Sequence, residues 1–257
     1  MRHPIKFVGA GPGDPELITV KGKNALEQAD LVIYAGSLVP EAVLSWTRSG
    51  AKLVNSASMH LTEIIEEIVE GYAKGLRIVR LHTGDPSLYG AILEQFQLLN
   101  HYSIPFEIIP GVTAAFAAAA ALEIEYTLPE ITQSLIITRM PGRTPVPETE
   151  SLKSMASHKA SMAIYLSMSL IDKVAEILEE TYGGETFAVI AYCVSQPNEK
   201  IYKVPIKDLA ESVHRLGIKK QALIIVSKVL NIDKIKYFSK LYDKGFSHLY
   251  RQADDDE

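Results

Sequence analysis

The sequence predicts an α/β fold of two domains. The first has a mainly parallel sheet with helices on both faces, and the second has a mixed sheet. Three observations predict this. Short apolar runs alternate with helical patterns through the first half of the chain. Unusual residues crowd into the loops that follow the strands, and the opposite loops are bland. A polar stretch, Glu123–Glu130, then precedes a second set of elements with a different order.

In the first domain, residues 1–122, strands read at Ile5–Val8, Leu31–Tyr34, Lys52–Asn55, Arg77–Leu81 and Phe106–Ile109. Thr62–Val69 puts Ile64, Ile65, Ile68 and Val69 on one helical face, and Gly75 follows as a stop. Ser87–Leu99 reads as another helix, and Thr113 caps an alanine-rich one after Pro110-Gly111. The second domain, residues 123–232, opens with a strand at Ser134–Thr138 and the proline-rich loop Met140–Pro147. Strand Ser161–Leu166, helix Leu170–Tyr182, strands Phe187–Cys193 and Lys200–Val204, helix Ile206–Leu216 and strand Ala222–Val229 follow. Ser195-Gln196-Pro197-Asn198 reads as a hairpin turn, which makes this sheet mixed. Residues 233–257 read as a polar tail, with Asp254-Asp255-Asp256-Glu257 disordered.

Composition narrows the function. A chain of 257 residues with 47% hydrophobic and 22% charged content reads as a soluble globular protein. Its net charge of −5 lacks the electrostatic footprint of a general nucleic-acid binder, yet leaves room for a local basic pocket. The single cysteine, Cys193, excludes a disulfide framework or cysteine zinc site within one chain, and reads as a small buried hydrophobe. Met1-Arg2-His3-Pro4 runs straight into a strand without a signal-peptide core, and no apolar run is long enough for a membrane span. The expected compartment is the cytosol, with no membrane partner. The histidines lack metal-ligand spacing, so no bound metal is expected. No G-x-S-x-G, H-E-x-x-H or Walker A pattern is present.

The loops after the strands carry the chemistry, because in an open α/β sheet they share the carboxyl edge, where ligands bind. Gly9-Ala10-Gly11-Pro12-Gly13-Asp14-Pro15 is stiff and allows close backbone approach. It fails as a dinucleotide loop: G-x-G-x-x-G needs glycine at position 14, and Pro12 and Pro15 remove two N–H groups that a diphosphate would use. In His82-Thr83-Gly84-Asp85-Pro86, a strand-to-helix turn accounts for Pro86 and a capping Ser87, but not for a carboxylate beside Gly84. Asp85 is therefore the one candidate catalytic residue. Pro110-Gly111-Val112-Thr113-Ala114 enters an alanine helix that leaves room for a ligand at its N-terminus. Arg139 and Arg143 flank Met140-Pro141-Gly142, a rigid arrangement suited to gripping carboxylates.

Taken together and in order, Gly9–Pro15, Gly84-Asp85-Pro86 and Pro110–Ala114 resemble the shared motifs of the tetrapyrrole methyltransferase family. Tyr34–Val39, His82–Gln95, Thr138–Glu148 and Ser239–Lys244 resemble, within it, the C11-methyltransferases of precorrin-4 and cobalt-precorrin-4 in cobalamin biosynthesis. Ala35 stands where the uroporphyrinogen III branch usually has aspartate. The resemblance implies a ligand cleft between two α/β domains, S-adenosylmethionine (SAM) as methyl donor and S-adenosylhomocysteine as product. It implies donor contacts from Pro12, Thr83, Gly84, Asp85, Leu88, Thr113 and Ala114, and from Tyr165, Leu166, Ala222 and Leu223. It also implies a homodimer. The acceptor would be a tetrapyrrole fringed with carboxylates, which makes Arg80, His82, Arg139, Arg143 and Lys21 its candidate clamps. Two other readings stay open: methylation of a different ring carbon, and a SAM-binding module without turnover.

Overall fold

The computed structural model describes residues 2–36, 38–231 and 239–253. The expectations for Ser37 and for residues 254–257 lie outside the described residues. The chain divides into two compact units, Met1–Ala118 with Cys193–Glu199, and Ala119–Tyr192 with Lys200–Glu257.

The first unit holds β1 (Ile5–Gly9), β2 (Leu31–Tyr34), β3 (Lys52–Asn55), β4 (Ile78–His82) and β5 (Phe106–Ile109). All pair in parallel, in the order β3-β2-β4-β1-β5. Alternation along the strands splits their side chains between two cores. Val8, Val32, Val79 and Leu81 pack with Ala25 and Leu26 of α1 (Val20–Gln28) and Val43 of α2 (Glu41–Leu44). Ile5, Phe7, Leu31, Ile33 and Ile78 pack with Ile64, Ile65 and Ile68 of α3 (Leu61–Ala73) and Leu99 of α4 (Leu93–His101). The connection from β1 to β2 leaves in one direction along the sheet and that from β4 to β5 in the other. Adjacent β1 and β4 therefore flank the topological switch point, where open α/β sheets place ligands.

The second unit holds β6 (Leu135–Arg139), β7 (Ser161–Tyr165), β8 (Phe187–Tyr192), β9 (Lys200–Pro205) and β10 (Ala222–Val226), in the order β6-β7-β10-β8-β9. Only the β6–β7 pair is parallel, so the sheet is mixed. One face, with Met162, Ile164, Ala188, Ile190, Ile224 and Val226, is covered by α6 (Leu152–Ala156), α7 (Ile171–Tyr182) and α8 (Leu209–Leu216). α5 (Ala114–Leu122) spans the point where the first unit gives way to the second. No helix among the described residues is long and apolar enough to cross a membrane.

Two departures from the sequence reading have physical causes. The helix expected from Ser87 begins only at Leu93, because the backbone curls first: Tyr89 and Ala91 have φ of 57° and 48°. A Cβ on Gly90 would lie 2.0 Å from the Pro86 carbonyl oxygen, so only glycine fits the curl. Helices α1, α2 and α6 carry no periodic apolar stripe long enough to announce them. α1 contains Gly22, whose missing side chain lets the helix approach Val8 of β1.

The amino edge of the first sheet is tied by Asp30. Its carboxylate accepts the Arg77 backbone N–H (2.8 Å) and Arg77 Nε–H (3.1 Å), and it pairs with Arg48. The Arg77 hydrogen bonds lower the Asp30 pKa from 3.8 to about 2. A depressed carboxyl stabilises the fold fully above its unfolded value and loses that contribution as pH falls through the folded one. Asp30→Asn is thus expected to cost about 1–2 kcal/mol at pH 7, allowing for solvent screening. The difference from wild type should shrink as pH falls below about 4 and vanish only below pH 2 in chemical denaturation curves.

Candidate functional site

The carboxyl ends of β1, β4 and β5 meet through glycine backbones. Gly84 N–H donates to the Gly11 carbonyl (2.8 Å), Gly11 N–H to the Gly84 carbonyl (3.3 Å), and Ala10 N–H to the His82 carbonyl (2.7 Å). A Cβ on Gly9 would lie 2.6 Å from Gly111 Cα and from the Gly84 carbonyl oxygen, and one on Gly111 would lie 2.2 Å from that oxygen. No side chain fits between these loops.

Asp85 completes the junction. One carboxylate oxygen accepts the Gly111 N–H (2.9 Å), and the other accepts the Ser87 N–H (2.8 Å) and the Ser87 hydroxyl. Burial pulls its pKa upward, but these bonds to Ser87 and Gly111 outweigh it and hold the carboxyl below its usual range. Ser87, expected as a helix cap, instead serves Asp85. Asp85 therefore stands as the ionised tie between the β4 and β5 loops, with both oxygens engaged.

The first loop is anchored separately. Asp14 caps a short 3-10 turn, Pro15–Leu17, through the Glu16 N–H (2.8 Å), and Trp46 Nε1–H donates to the Pro15 carbonyl (3.0 Å). The Asp14 N–H donates to Ser195 Oγ (3.0 Å), on the segment Cys193–Glu199 of the same unit. A Cβ on Gly13 would lie 2.4 Å from Gln196 Cγ. Sequence reasoning missed this seat. The glycine was its only local signal, and its cause lies far along the chain.

Pro12 and Thr113 are buried, and Thr83, Gly84, Asp85, Leu88 and Ala114 are half-buried on these three loops. The first-unit residues singled out for a ligand are thus brought to one edge. In the second unit, Arg139, Tyr165 and Ala222 also share an edge, since β10 runs antiparallel to β7. Leu166 follows Tyr165 in left-handed backbone (φ 51°) and is 60% exposed, although Leu223 is buried in the sheet. Ser167 Oγ accepts the Met140 N–H (2.8 Å) and donates to the Tyr165 carbonyl (2.6 Å), joining the ends of β6 and β7.

The expected carboxylate clamps fare unequally. Arg80 is buried, donates to the Ile33 carbonyl (3.2 Å) and to Gln95 Oε1 (3.3 Å), and is lowered to about 10 by burial. It ties β4 to β2 inside the first unit. His82 is buried against Phe7, with ring centroids 5.8 Å apart. Burial first, and then the Arg80 charge, push its pKa down to about 3, so it stays neutral and offers no cation. Lys21 is exposed and pairs with Glu107 at 3.6 Å. Arg139 donates to the Thr144 and Pro145 carbonyls (2.8 and 3.2 Å) and so braces its own loop. Arg143 lies exposed on that braced loop.

The sequence model of the Tetrapyrrole (Corrin/Porphyrin) Methylases matches residues 4–210. The chain belongs to this family. Among its relatives, the cobalt-precorrin-4 C(11)-methyltransferase of Methanocaldococcus jannaschii is 55% identical over 97% of this chain and 96% of its own length. The one from Priestia megaterium is 46% identical over 97% and 98%. A solved cobalt precorrin-4 methyltransferase, 45% identical, superposes with a TM-score of 0.85 over 88% of this chain and 95% of its own. A family member with this architecture has its loop motifs explained by the glycine junction.

Two substitutions test that junction. Gly111→Ala forces a Cβ onto the Gly84 carbonyl and is expected to destabilise the unit by roughly 2–3 kcal/mol in denaturant unfolding. Asp85→Asn keeps one good acceptor for three donors and turns an amide toward an N–H. It should cost about 1–3 kcal/mol at pH 7, and less as pH falls below the carboxylate range.

Proposed function

We propose that this protein transfers a methyl group from SAM to ring carbon C11 of cobalt-precorrin-4 or precorrin-4, a step of cobalamin biosynthesis, in the cytosol. The observation that carries this reading is the near full-length identity of 55% with the M. jannaschii enzyme of that activity. The braced β1, β4 and β5 loops support it.

The residues fit the donor. Two prolines and the internal bonding of Gly11 and Asp14 leave the first loop few free N–H groups, a poor match for a diphosphate and a suitable one for a sulfonium-bearing nucleoside. Thr83, Gly84, Leu88, Thr113 and Ala114 offer small or apolar walls, with Pro12 beside them. Tyr165, Leu166, Ala222 and Leu223 of the second unit are proposed as further contacts, on the resemblance alone. When bound, SAM supplies an electrophilic methyl on a good sulfur leaving group. The protein's work is to align carbon, methyl and sulfur and keep water out; such positioning is worth roughly 7–11 kcal/mol of barrier. Asp85 contributes as a positioning residue, holding two of the loops in register. Arg143 is proposed to grip a carboxylate of the acceptor, and the family's dimer is proposed for this chain.

Incubation with methyl-labelled SAM and each acceptor, with NMR of the product, tests the reading. Label at C11 is expected. Label at another ring carbon overturns the site of methylation, and S-adenosylhomocysteine formed with neither acceptor overturns the substrate. Arg143→Ala should raise the acceptor KM about ten-fold, the loss of one charge-assisted carboxylate contact. Its S-adenosylhomocysteine affinity should stay within two-fold by calorimetry, and an equal loss of both would remove the clamp assignment.

A further inference from the structure

Between Asp85 and α4 the chain takes a costly path. Tyr89 and Ala91 both adopt left-handed backbone, which crowds the Cβ of any residue other than glycine. Ser87 could cap a helix running straight into α4, yet α4 starts only at Leu93. Strain of this kind persists where the surroundings enforce it, and it gathers at functional sites. The curl also stands where a ligand is expected. It follows Leu88, whose N–H donates to the Asp85 carbonyl (3.2 Å), and it leaves Tyr89 43% exposed beyond the carboxyl end of β4.

Gly90 permits the curl, and Gln95 enforces it. Gln95 lies in the first turn of α4 and is only 4% exposed. Its Nε2–H donates to the Ala91 carbonyl (3.0 Å), and its Oε1 accepts Arg80 Nε–H (3.3 Å). The start of α4 has no side-chain cap, so this amide closes the curl onto the helix. Arg80 decides which way the amide faces. A guanidinium only donates, so the amide oxygen turns toward it and the nitrogen is left facing Ala91. Arg80 stays charged at neutral pH although burial lowers it to about 10, and its Nη1–H is held by the Ile33 carbonyl (3.2 Å). Ile92 and Leu99 pack in the core beside α4 and the sheet, so both partners stand on fixed elements.

We propose that Gln95, oriented by Arg80, is a positioning residue for methyl transfer: it holds the curl 87–92 in shape and so fixes Leu88 and Tyr89 beside the bound reactants. The proposal rests on the methyl-transfer activity proposed above. Neither Gln95 nor Arg80 needs to touch a ligand for it. The buried side chains act through the Ala91 carbonyl, and the strained backbone passes their constraint to the surface.

The experiment compares the full-length protein with Gln95→Glu. Glutamate keeps an acceptor for Arg80 but has no donor for the Ala91 carbonyl, so the buried cation stays paired while the curl loses its tie. Chymotrypsin should then cut the native protein after Tyr89 at least about ten-fold faster than wild type, mapped by mass spectrometry, with thermal stability held. The kcat should fall about ten-fold or more, because misplaced groups raise the barrier, with the acceptor KM within about three-fold. Gly90→Ala forces the curl away from the Pro86 carbonyl with Arg80 and Gln95 intact, and should reproduce both effects. Fast cleavage with unchanged kcat in either variant overturns the positioning role. Unchanged cleavage in Gln95→Glu overturns the tie. Arg80→Met with a raised acceptor KM and unchanged cleavage would make Arg80 a clamp and overturn its part in orienting Gln95. Wild-type protein that methylates neither acceptor defeats the proposed activity instead, and the cleavage comparison still decides whether Gln95 holds the curl.

Discussion

The first unit depends on a place where three loops are too close for any side chain. Gly9, Gly84 and Gly111 approach within backbone contact distance, and the Gly11–Gly84 pair adds a short antiparallel bridge between loops that follow parallel strands. Such packing brings peptide dipoles together and needs an acceptor for the remaining N–H groups. The Asp85 carboxylate is that acceptor for the Gly111 N–H and the Ser87 N–H. The glycines and the aspartate are one solution to one problem: the glycines permit the approach, and the charge satisfies the donors that it would otherwise strand. Asp85, the candidate catalytic residue, also ties the two loops on which chemistry is proposed.

Polarity in the first unit is sorted by depth. Its buried cation, Arg80, meets neutral oxygens of Ile33 and Gln95, and its buried imidazole, His82, is held uncharged. Burying an unpaired charge is expensive, so Arg80 persists where a backbone carbonyl and an amide share the load. Arginines differ in role because they differ in surroundings: Arg80 ties β4 to β2, Arg139 braces the loop it begins, and Arg143 is left to solvent.

Much of this was legible in the sequence. Alternation gave the parallel sheet, and the hairpin at Ser195–Asn198 gave the mixed one, because local apolar patterning decides strand identity. The loops at the switch point were legible through composition, since glycine and proline report backbone constraint directly. What escaped reading depends on partners distant in sequence. The curl at Tyr89–Ala91 is required by Gly90 packing on Pro86 and hides behind a helix-like pattern. The burial of Arg80 and His82 follows from strand alternation on β4, where both point to the same side as Ile78 and Phe7. Gly13 is required by Gln196, a residue far along the chain whose Cγ leaves no room for a Cβ.

That last contact bears on how the molecule is made. The turn Cys193–Glu199 belongs to the first unit, although the strands on either side of it belong to the second. During synthesis, the seat for Asp14 is not available when residue 118 leaves the ribosome; some eighty more residues must emerge first. A fragment cut at the boundary in chain order would therefore carry the Gly9–Pro15 loop without its Ser195 and Gln196 contacts. The first unit is thus discontinuous in the gene, and a cut between its two stretches removes part of it.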